Sequence, residues 1–389
     1  MMKRPAPVAS EVTCSSLTLF SRSRRMRKEL AVEHLAIDLG GRESQVCIRS
    51  EDGTILLEQR MPTAALDRYL RRRPTSRVVV ETCTEAFAVA DSALAAGHEV
   101  RVVPGQLVRS LGVGARGVKS DRNDARALSQ VSCRIDLPSV HIPSSLARER
   151  KALCGMREAL VESRTKLINT VQAWMRGQVR RPAPGHARTI VKRVRAAVQD
   201  RPPYVERLLE SIEELAKRIH IADGELAALA ESDTTCRRLM TVPGVGPVTA
   251  TRFAATVDEV GRFASAHQLE SYLGLVPGER SSGERRHSTS ITKAGPAKER
   301  WALVQASWVA KRSARKDPMI LWAEEIEKRR GKRIAITALA RKMAGILYAI
   351  WRDGTTYDPG RGATRLTARM TDTEATSEIL ERAAKQPLN

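Results

Sequence analysis

Four carboxylates carry the first chemical signal in this sequence. Asp121 and Asp124 stand in Gly117-Val118-Lys119-Ser120-Asp121-Arg122-Asn123-Asp124-Ala125-Arg126-Ala127-Leu128, where a polar opening runs straight into an apolar-periodic segment. A helix starting there puts both acids on one face, about one turn apart at a rise of about 1.5 Å per residue. Ser120 is placed to cap that helix, and Asp121 meets the positive end of its dipole. By itself Asp-x-x-Asp is more often a solvated first turn than a metal site. Two earlier acids change the balance. Asp38 lies inside the apolar run His34 to Leu39, and Glu81 closes the run Val78-Val79-Val80. Acids at strand ends beside a helix start can gather around two divalent cations, and their hard oxygens suit Mg²⁺ or Mn²⁺.

A second group is Ser281 and Ser282 among Arg280, Arg285, Arg286 and Lys293, in a stretch from Val276 to Gly295 that reads as a loop. Serines among cations form a phosphate-binding loop. They also suit a nucleophile, because nearby cations stabilise the serine oxyanion and the attacked phosphate. Composition leaves both readings open. A third is Pro243-Gly244-Val245-Gly246-Pro247 between two helical patterns, which resembles a helix-hairpin-helix turn. Such a turn presents backbone N–H groups to a nucleic-acid phosphate, and Gly244 and Gly246 allow close approach. The plainer alternative is an ordinary interhelical turn.

The elements that must hold these groups follow from the patterning. Strands are predicted at 34–39, 44–49 and 54–59, with Asp52-Gly53 as a hairpin signal. A short amphipathic helix at 63–73 precedes a buried strand at 78–81. An Ala-rich helix at 84–96, stopped by Gly97, precedes a strand at 99–103. A short helix from Gln106 and the Asp121 helix come next. A meander followed by βαβ units gives a mixed sheet with helices on its faces. That is the element order of the ribonuclease H-like fold, in which the first strand carries an Asp, the fourth a Glu and a later helix one or two Asps. Asp38-Leu39-Gly40-Gly41 also matches the phosphate turn of sugar kinases and actin-like ATPases. Those proteins need a second Gly-rich loop, which this sequence lacks.

Further on, the chain is helical and charged from Leu146 to about Gln178 and is broken by Pro182-Ala183-Pro184-Gly185. A second long segment, Tyr204 to about Glu231, carries Leu208, Ile212, Leu215, Ile219, Leu226 and Leu229 at near-helical spacing. The pair predicts an antiparallel coiled-coil arm. Helices are expected near 297–312, 318–330 and 333–351, with Trp301, Trp308, Trp322 and Trp351 read as packing residues rather than base-stacking platforms. The expected domains are a basic disordered extension at 1–33, a catalytic domain at 34–145, the arm at 146–233, a helical domain holding the serine at 234–352, and a loose tail at 353–389.

Sixty-six Lys and Arg against 44 Asp and Glu give a net charge of +22. Such an excess points to a polyanion, with nucleic acid as the default. The six cysteines form no C-x-x-C pair, which disfavours a zinc ribbon and fits free thiols in a reducing cytoplasm. No apolar run approaches a membrane span, and the first 28 residues lack the apolar core of a secretion signal.

Read together, Ile37-Asp38, Val80-Glu81-Thr82, Lys119-Ser120-Asp121 through Asp124-Ala125, Pro243 to Pro247, Ser281-Ser282-Gly283 and Ile291-Thr292-Lys293-x-Gly295 carry a family resemblance. The chain resembles the DEDD-type transposases of the insertion-sequence one-ten family, also called bridge-RNA-guided recombinases. The motifs span about Ala36 to Ala349. The resemblance implies an amino-terminal domain similar to Holliday-junction resolvases, with Asp38, Glu81, Asp121 and Asp124 as Mg²⁺ ligands. It implies a helical carboxyl-terminal domain whose catalytic serine falls on Ser282, with Ser281 beside it. It implies a homo-oligomer, dimer or tetramer, and an element-encoded noncoding RNA that pairs with donor and target DNA. Ser120 stands where the family often has Thr and keeps a capping hydroxyl. Two rivals remain: a junction nuclease using metals and water alone, and a non-catalytic nucleic-acid-binding protein. The first leaves Ser282 without a chemical task. The second leaves four acids facing a polyanion with no cation between them.

Overall fold

The amino-terminal strands alternate their side chains between two buried faces, and that alternation sets the geometry of the acids. The computed structural model describes residues 32–110, 121–282 and 285–360, with backbone only at 109–110, 281–282 and 285–288. Nearly all of the expected basic extension, Ser120, Gly283 and the tail beyond residue 360 lie outside the described residues. The chain divides into two compact units, Met1–Pro143 and Ser144–Asn389.

In the first unit, β1 (Glu33–Asp38), β2 (Glu43–Arg49) and β3 (Ile55–Pro62) form an antiparallel meander. The turn between β2 and β3 has Gly53 at φ +88°, and Asp52 Oδ1 accepts from the Thr54 N–H at 2.9 Å. Helix α1 (Leu66–Arg71), β4 (Ser76–Glu81), α2 (Ala86–Ala95), β5 (Glu99–Val103), α3 (Gly105–Ser110) and α4 (Asp121–Arg134) follow. The strand order is β3-β2-β1-β4-β5, with β4 parallel to β1 and β5 parallel to β4. This is the mixed sheet that the element order predicts. Leu35, Ile37, Val78, Val80 and Val102 cluster with Leu66, Leu70, Ala86 and Ala90 of α1 and α2. Ala36, Val79 and Val103 point the other way, onto Val108 of α3 and Leu128 of α4.

The second unit is helical. Helix α5 (Ser145–Gly177) begins at Ser144, whose hydroxyl accepts from Ala147 N–H at 3.1 Å. After α6 (Ile190–Ala197), α7 (Pro203–Ser232) returns along α5. The run is antiparallel: Arg150 pairs with Asp233 and Arg157 with Asp223, while Ile168, Val171 and Met175 meet Val205, Leu209 and Ile212 at the other end. Val205, Ile212, Ile219 and Leu226 are buried and recur every seven residues. Of the predicted stripe, Ile212, Ile219 and Leu226 are buried, and Leu208 packs only at the edge.

Next come α8 (Thr234–Leu239), α9 (Pro247–Val257), α10 (Ala266–Tyr272), β6 (Pro277–Ser282), β7 (Arg285–Ile291), α11 (Ala297–Ser313), α12 (Pro318–Arg330) and α13 (Lys332–Asp353). Their core gathers Leu239, Phe253, Leu269, Leu303, Ile320 and Met343. Among the described residues α13 alone has the length and apolarity of a membrane span, but its Leu339, Ala340, Met343, Ala344 and Leu347 fill this core. The five described cysteines are free thiols.

Three expectations fail here, the first being that no apolar run reaches the length of a membrane span, since α13 does. The stretch after Leu275 is not a loop: β6 and β7 pair as an antiparallel ribbon. Its strands, PGERSS and RRHSTSI, place charges and hydroxyls on both faces, so no period-two apolar signal exists. Trp308, Trp322 and Trp351 pack against the core as predicted, whereas Trp301 is 61% exposed.

Candidate active site

Ile37 lies opposite Val80 across the parallel β1–β4 pair. Asp38 and Glu81, each one residue further, therefore end neighbouring strands side by side. Alternation puts both on the face of Ala36 and Val79, which α4 covers. Hydrogen bonds fix the direction of α4. His34 Nδ1 and Ser132 Oγ are 2.8 Å apart at the start of β1, and Ser129 Oγ donates to Cys47 Sγ at 3.2 Å, where Cys47 lies opposite Ala36. The helix thus runs antiparallel to β1, and its first turn, with Asp121 and Asp124, comes level with the strand ends.

A charge clamp holds that first turn. Glu58 of β3 accepts from Arg122 Nη2 at 2.8 Å and Arg126 Nη2 at 2.7 Å. The hydrogen bond from Arg126 is the main reason the Glu58 carboxyl falls to about 2. Sequence reading missed this clamp. Its only local trace is the four-residue spacing of Arg122 and Arg126 around the acids. Gly105 was missed too: a Cβ there would run into the Glu81 carboxylate. The glycine at the start of α3 leaves the space that carboxylate occupies.

Asp124 Oδ1 is buried without a hydrogen-bond partner among the described residues. A buried carboxylate oxygen lacking a donor is unfavourable unless a cation meets it. Asp121, by contrast, is exposed. The fold thus brings Asp38 and Glu81 to one face and sets Asp124 on the helix that crosses it. Among the described residues no three His, Cys, Asp or Glu side chains stand close enough to hold one ion. Clustered carboxylates repel one another in a low dielectric until positive charge separates them. The all-oxygen donor set and the orphaned Oδ1 both fit Mg²⁺ or Mn²⁺.

In the second unit, Ser282 ends β6 opposite Arg285, and Ser281 lies opposite Arg286. The register thus sets each of these two serines across the ribbon from an arginine. Arg280 is exposed. Lys293 adopts φ +57°, and its N–H donates to Gly274 O at 3.1 Å.

The two glycines of the Pro-Gly-Val-Gly-Pro turn differ in role. Gly244 has φ +84°, and a Cβ there would lie 2.8 Å from Ala310 N of α11, so close packing requires glycine. Gly246 has open space around it and precedes α9, whose start has Pro247 in its first turn and no side-chain cap. Among the described residues no side chain caps that helix start, which suits its first N–H groups to an anion.

Residues 35–178 match a transposase family model of the DEDD type named for IS110, and residues 236–319 match the Transposase IS116/IS110/IS902 family. A putative transposase of Sinorhizobium fredii, y4qE, is 30% identical over 286 residues, covering 66% of this chain and 70% of the relative. The chain belongs to the IS110/IS116 transposase family. The transposase for insertion sequence element IS1111A of Coxiella burnetii is 28% identical over 88% of this chain and 96% of its own length. That for IS1328 of Yersinia enterocolitica is 27% identical over 83% and 98%. In this transposase the first matched stretch contains all four acids, and the second contains Gly244, Gly246 and Ser282.

Proposed function

We propose that this transposase cuts and rejoins DNA strands with Ser282 Oγ as nucleophile. Asp38, Glu81, Asp121 and Asp124 would hold Mg²⁺ or Mn²⁺ in a ribonuclease H-like domain. The observation that carries the reading is the unpartnered, buried Oδ1 of Asp124 on the helix crossing the face to which Asp38 and Glu81 belong. The strand order β3-β2-β1-β4-β5, with acids ending β1 and β4, supports the ribonuclease H-like assignment.

A bound divalent cation supplies Lewis-acid stabilisation of charge on the phosphate and favours the ionised form of an attacking hydroxyl. Ser282 Oγ attacks the scissile phosphorus. A serine–phosphate ester forms, the bond to the sugar oxygen breaks, and the proton lost by serine is balanced by one taken up at that oxygen. The ester keeps the phosphodiester energy, so a hydroxyl from a new strand end can reverse the attack and release Ser282. Arg280, Arg285, Arg286 and Lys293 hold the phosphates as charge-assisted donors. Gly246 opens the α9 N-terminus to a backbone phosphate.

The partners in this reading are donor and target DNA and an element-encoded noncoding guide RNA that pairs with both. The assembly is a homo-oligomer, dimer or tetramer, acting in the cytoplasm at the nucleoid. The α5–α7 pair, with its seven-residue apolar repeat, suits an antiparallel coiled coil used for self-association. The test is recombination of a donor and a target plasmid by purified protein with the element's noncoding RNA. Activity should require Mg²⁺ or Mn²⁺ and disappear in Asp124→Asn, with DNA binding kept. Undiminished recombination in EDTA would overturn the metal reading. Recombination without the RNA would overturn the guide.

A further inference from the structure

A groove of about 960 Å³ opens in the second unit between α5 and the first turns of α9 and α11. Trp301 stands on its wall. The next residues of α11 turn inward, with Ala302, Leu303, Ala306 and Ala310 buried, while Trp301 is 61% exposed. An exposed tryptophan on the wall of an open groove presents a flat π-face that a ligand ring can stack on.

The surroundings give that surface its preference. Four cations line the groove against two carboxylates, Glu158 and Glu162. Both carboxylates are already engaged: Glu158 by Lys298 at 2.8 Å and Arg252 at 3.3 Å, and Glu162 by Lys298 at 3.7 Å. Lys166 is exposed and makes no ion pair among the described residues. The starts of α9 and α11 both lack a side-chain cap, so their first N–H groups add positive potential to the same wall. Arg157, Arg252 and Lys298 are held in ion pairs, which leaves Lys166 as the cation beside the ring without one among the described residues. A flat aromatic face next to such a cation suits single-stranded nucleic acid, with a base on the ring and a phosphate on the lysine. The volume takes a nucleotide with room beside it. A base inside a duplex is stacked on its neighbours and cannot lie on the indole.

We propose that this groove binds an unpaired DNA strand, one base stacking on Trp301 while a flanking phosphate meets Lys166. The inference rests on DNA as the substrate, and on neither Ser282 nor the acids. A failed groove therefore leaves the strand-cleavage reading intact, and the reverse also holds.

The test uses the full chain and fluorescein-labelled oligonucleotides of one sequence as single-stranded DNA, duplex DNA and single-stranded RNA. Trp301→Ala should weaken single-stranded DNA binding roughly 5- to 150-fold, the worth of one base–aromatic stack. Duplex affinity should stay within about twofold, and Trp301→Phe should recover most of the loss. Lys166→Ala, at an exposed site that folding does not need, should lower the salt slope of single-strand binding by about one phosphate contact. Unchanged single-strand affinity in both alanine variants would overturn the proposal. So would equal losses for single strand and duplex, or a loss confined to the RNA arm. A change in oligomeric state without a change in DNA binding would assign the groove to a second copy of the chain and overturn it too.

Discussion

The acids of the sheet and the serine of the ribbon are held in opposite ways. Asp38 and Glu81 end strands whose preceding residues, Ile37 and Val80, are wholly buried. The helix bearing Asp124 is tied at one end by His34–Ser132 and near the other by Glu58 with Arg122 and Arg126. Ser282 sits at the tip of a two-stranded ribbon with hardly an apolar side chain. Such a ribbon is marginally stable by itself. Ligands for a cation need their geometry set in advance, since small misplacement of charge is expensive. In the proposed mechanism the ribbon's register sets Arg285 across from the nucleophile Ser282, and the bound phosphate completes the serine's position.

This contrast predicts unequal responses to substitution. The largest effect is expected at the acids: Asp38→Asn or Asp124→Asn should reduce excision in a plasmid assay at least roughly 100-fold, the loss of several kcal/mol of transition-state stabilisation. For Asp124→Asn thermal stability should change little, because the carboxylate is half-buried and its Oδ1 lacks a donor among the described residues. An active Asp124→Asn protein would show that these acids do not hold a catalytic cation. Gly105→Ala should come next. It displaces the Glu81 carboxylate and should lower activity on the order of tenfold or more with the fold intact, as expected of a misplaced reacting group. Gly244→Ala should do the reverse: strain at φ +84° and contact with α11 should destabilise by roughly 2–4 kcal/mol. Its catalytic defect should then track the unfolded fraction measured by chemical denaturation.

How much of this was legible in the sequence depended on contrast with local surroundings. Asp38 and Glu81 stood out because they interrupt or close apolar runs, and Asp121 and Asp124 because they open an amphipathic helix. The ribbon was invisible because neither of its faces is apolar. The clamp was invisible because Glu58 and Arg126 lie 68 residues apart and meet only once the sheet forms. Trp301 misled by period: it lies seven residues before Trp308, and the helix covers the second with core while leaving the first in solvent.

A smaller effect sharpens the comparison through pH. Glu299 of α11 is 1% exposed, and burial pushes its carboxyl up to about 8, with Arg252 opposing the shift. Between the unfolded value of 4.5 and about 8, the folded state keeps a proton that the unfolded chain releases. Stability of the second unit therefore falls as pH rises through that window and levels off above it. Glu299→Gln should be more stable at pH 8, by up to about 4 kcal/mol, and nearly equal at pH 4. All five tryptophans lie beyond residue 173, so fluorescence-detected melting reads this unit alone. Glu58 acts with the opposite sign. Its folded carboxyl lies near 2, so the first unit loses stability as pH falls from 4.5 towards 2. That is the smallest effect, because Arg122 is largely in water and screened. Far-ultraviolet dichroism of wild type and Glu58→Gln over that range would detect it, and identical acid profiles would remove the clamp from the account.

The most direct measurement of the central claim is covalent capture of DNA. Reactions with end-labelled DNA and Mg²⁺ are quenched in denaturant and run on a denaturing gel. The account predicts a slow protein–DNA adduct from the wild type and from Ser281→Ala, and none from Ser282→Ala, although Ser282→Ala still binds DNA. An adduct that persists in Ser282→Ala and vanishes in Ser281→Ala would move the nucleophile by one residue. An adduct in both variants, or an active wild-type enzyme with none, would contradict serine chemistry and leave a metal-and-water nuclease in its place.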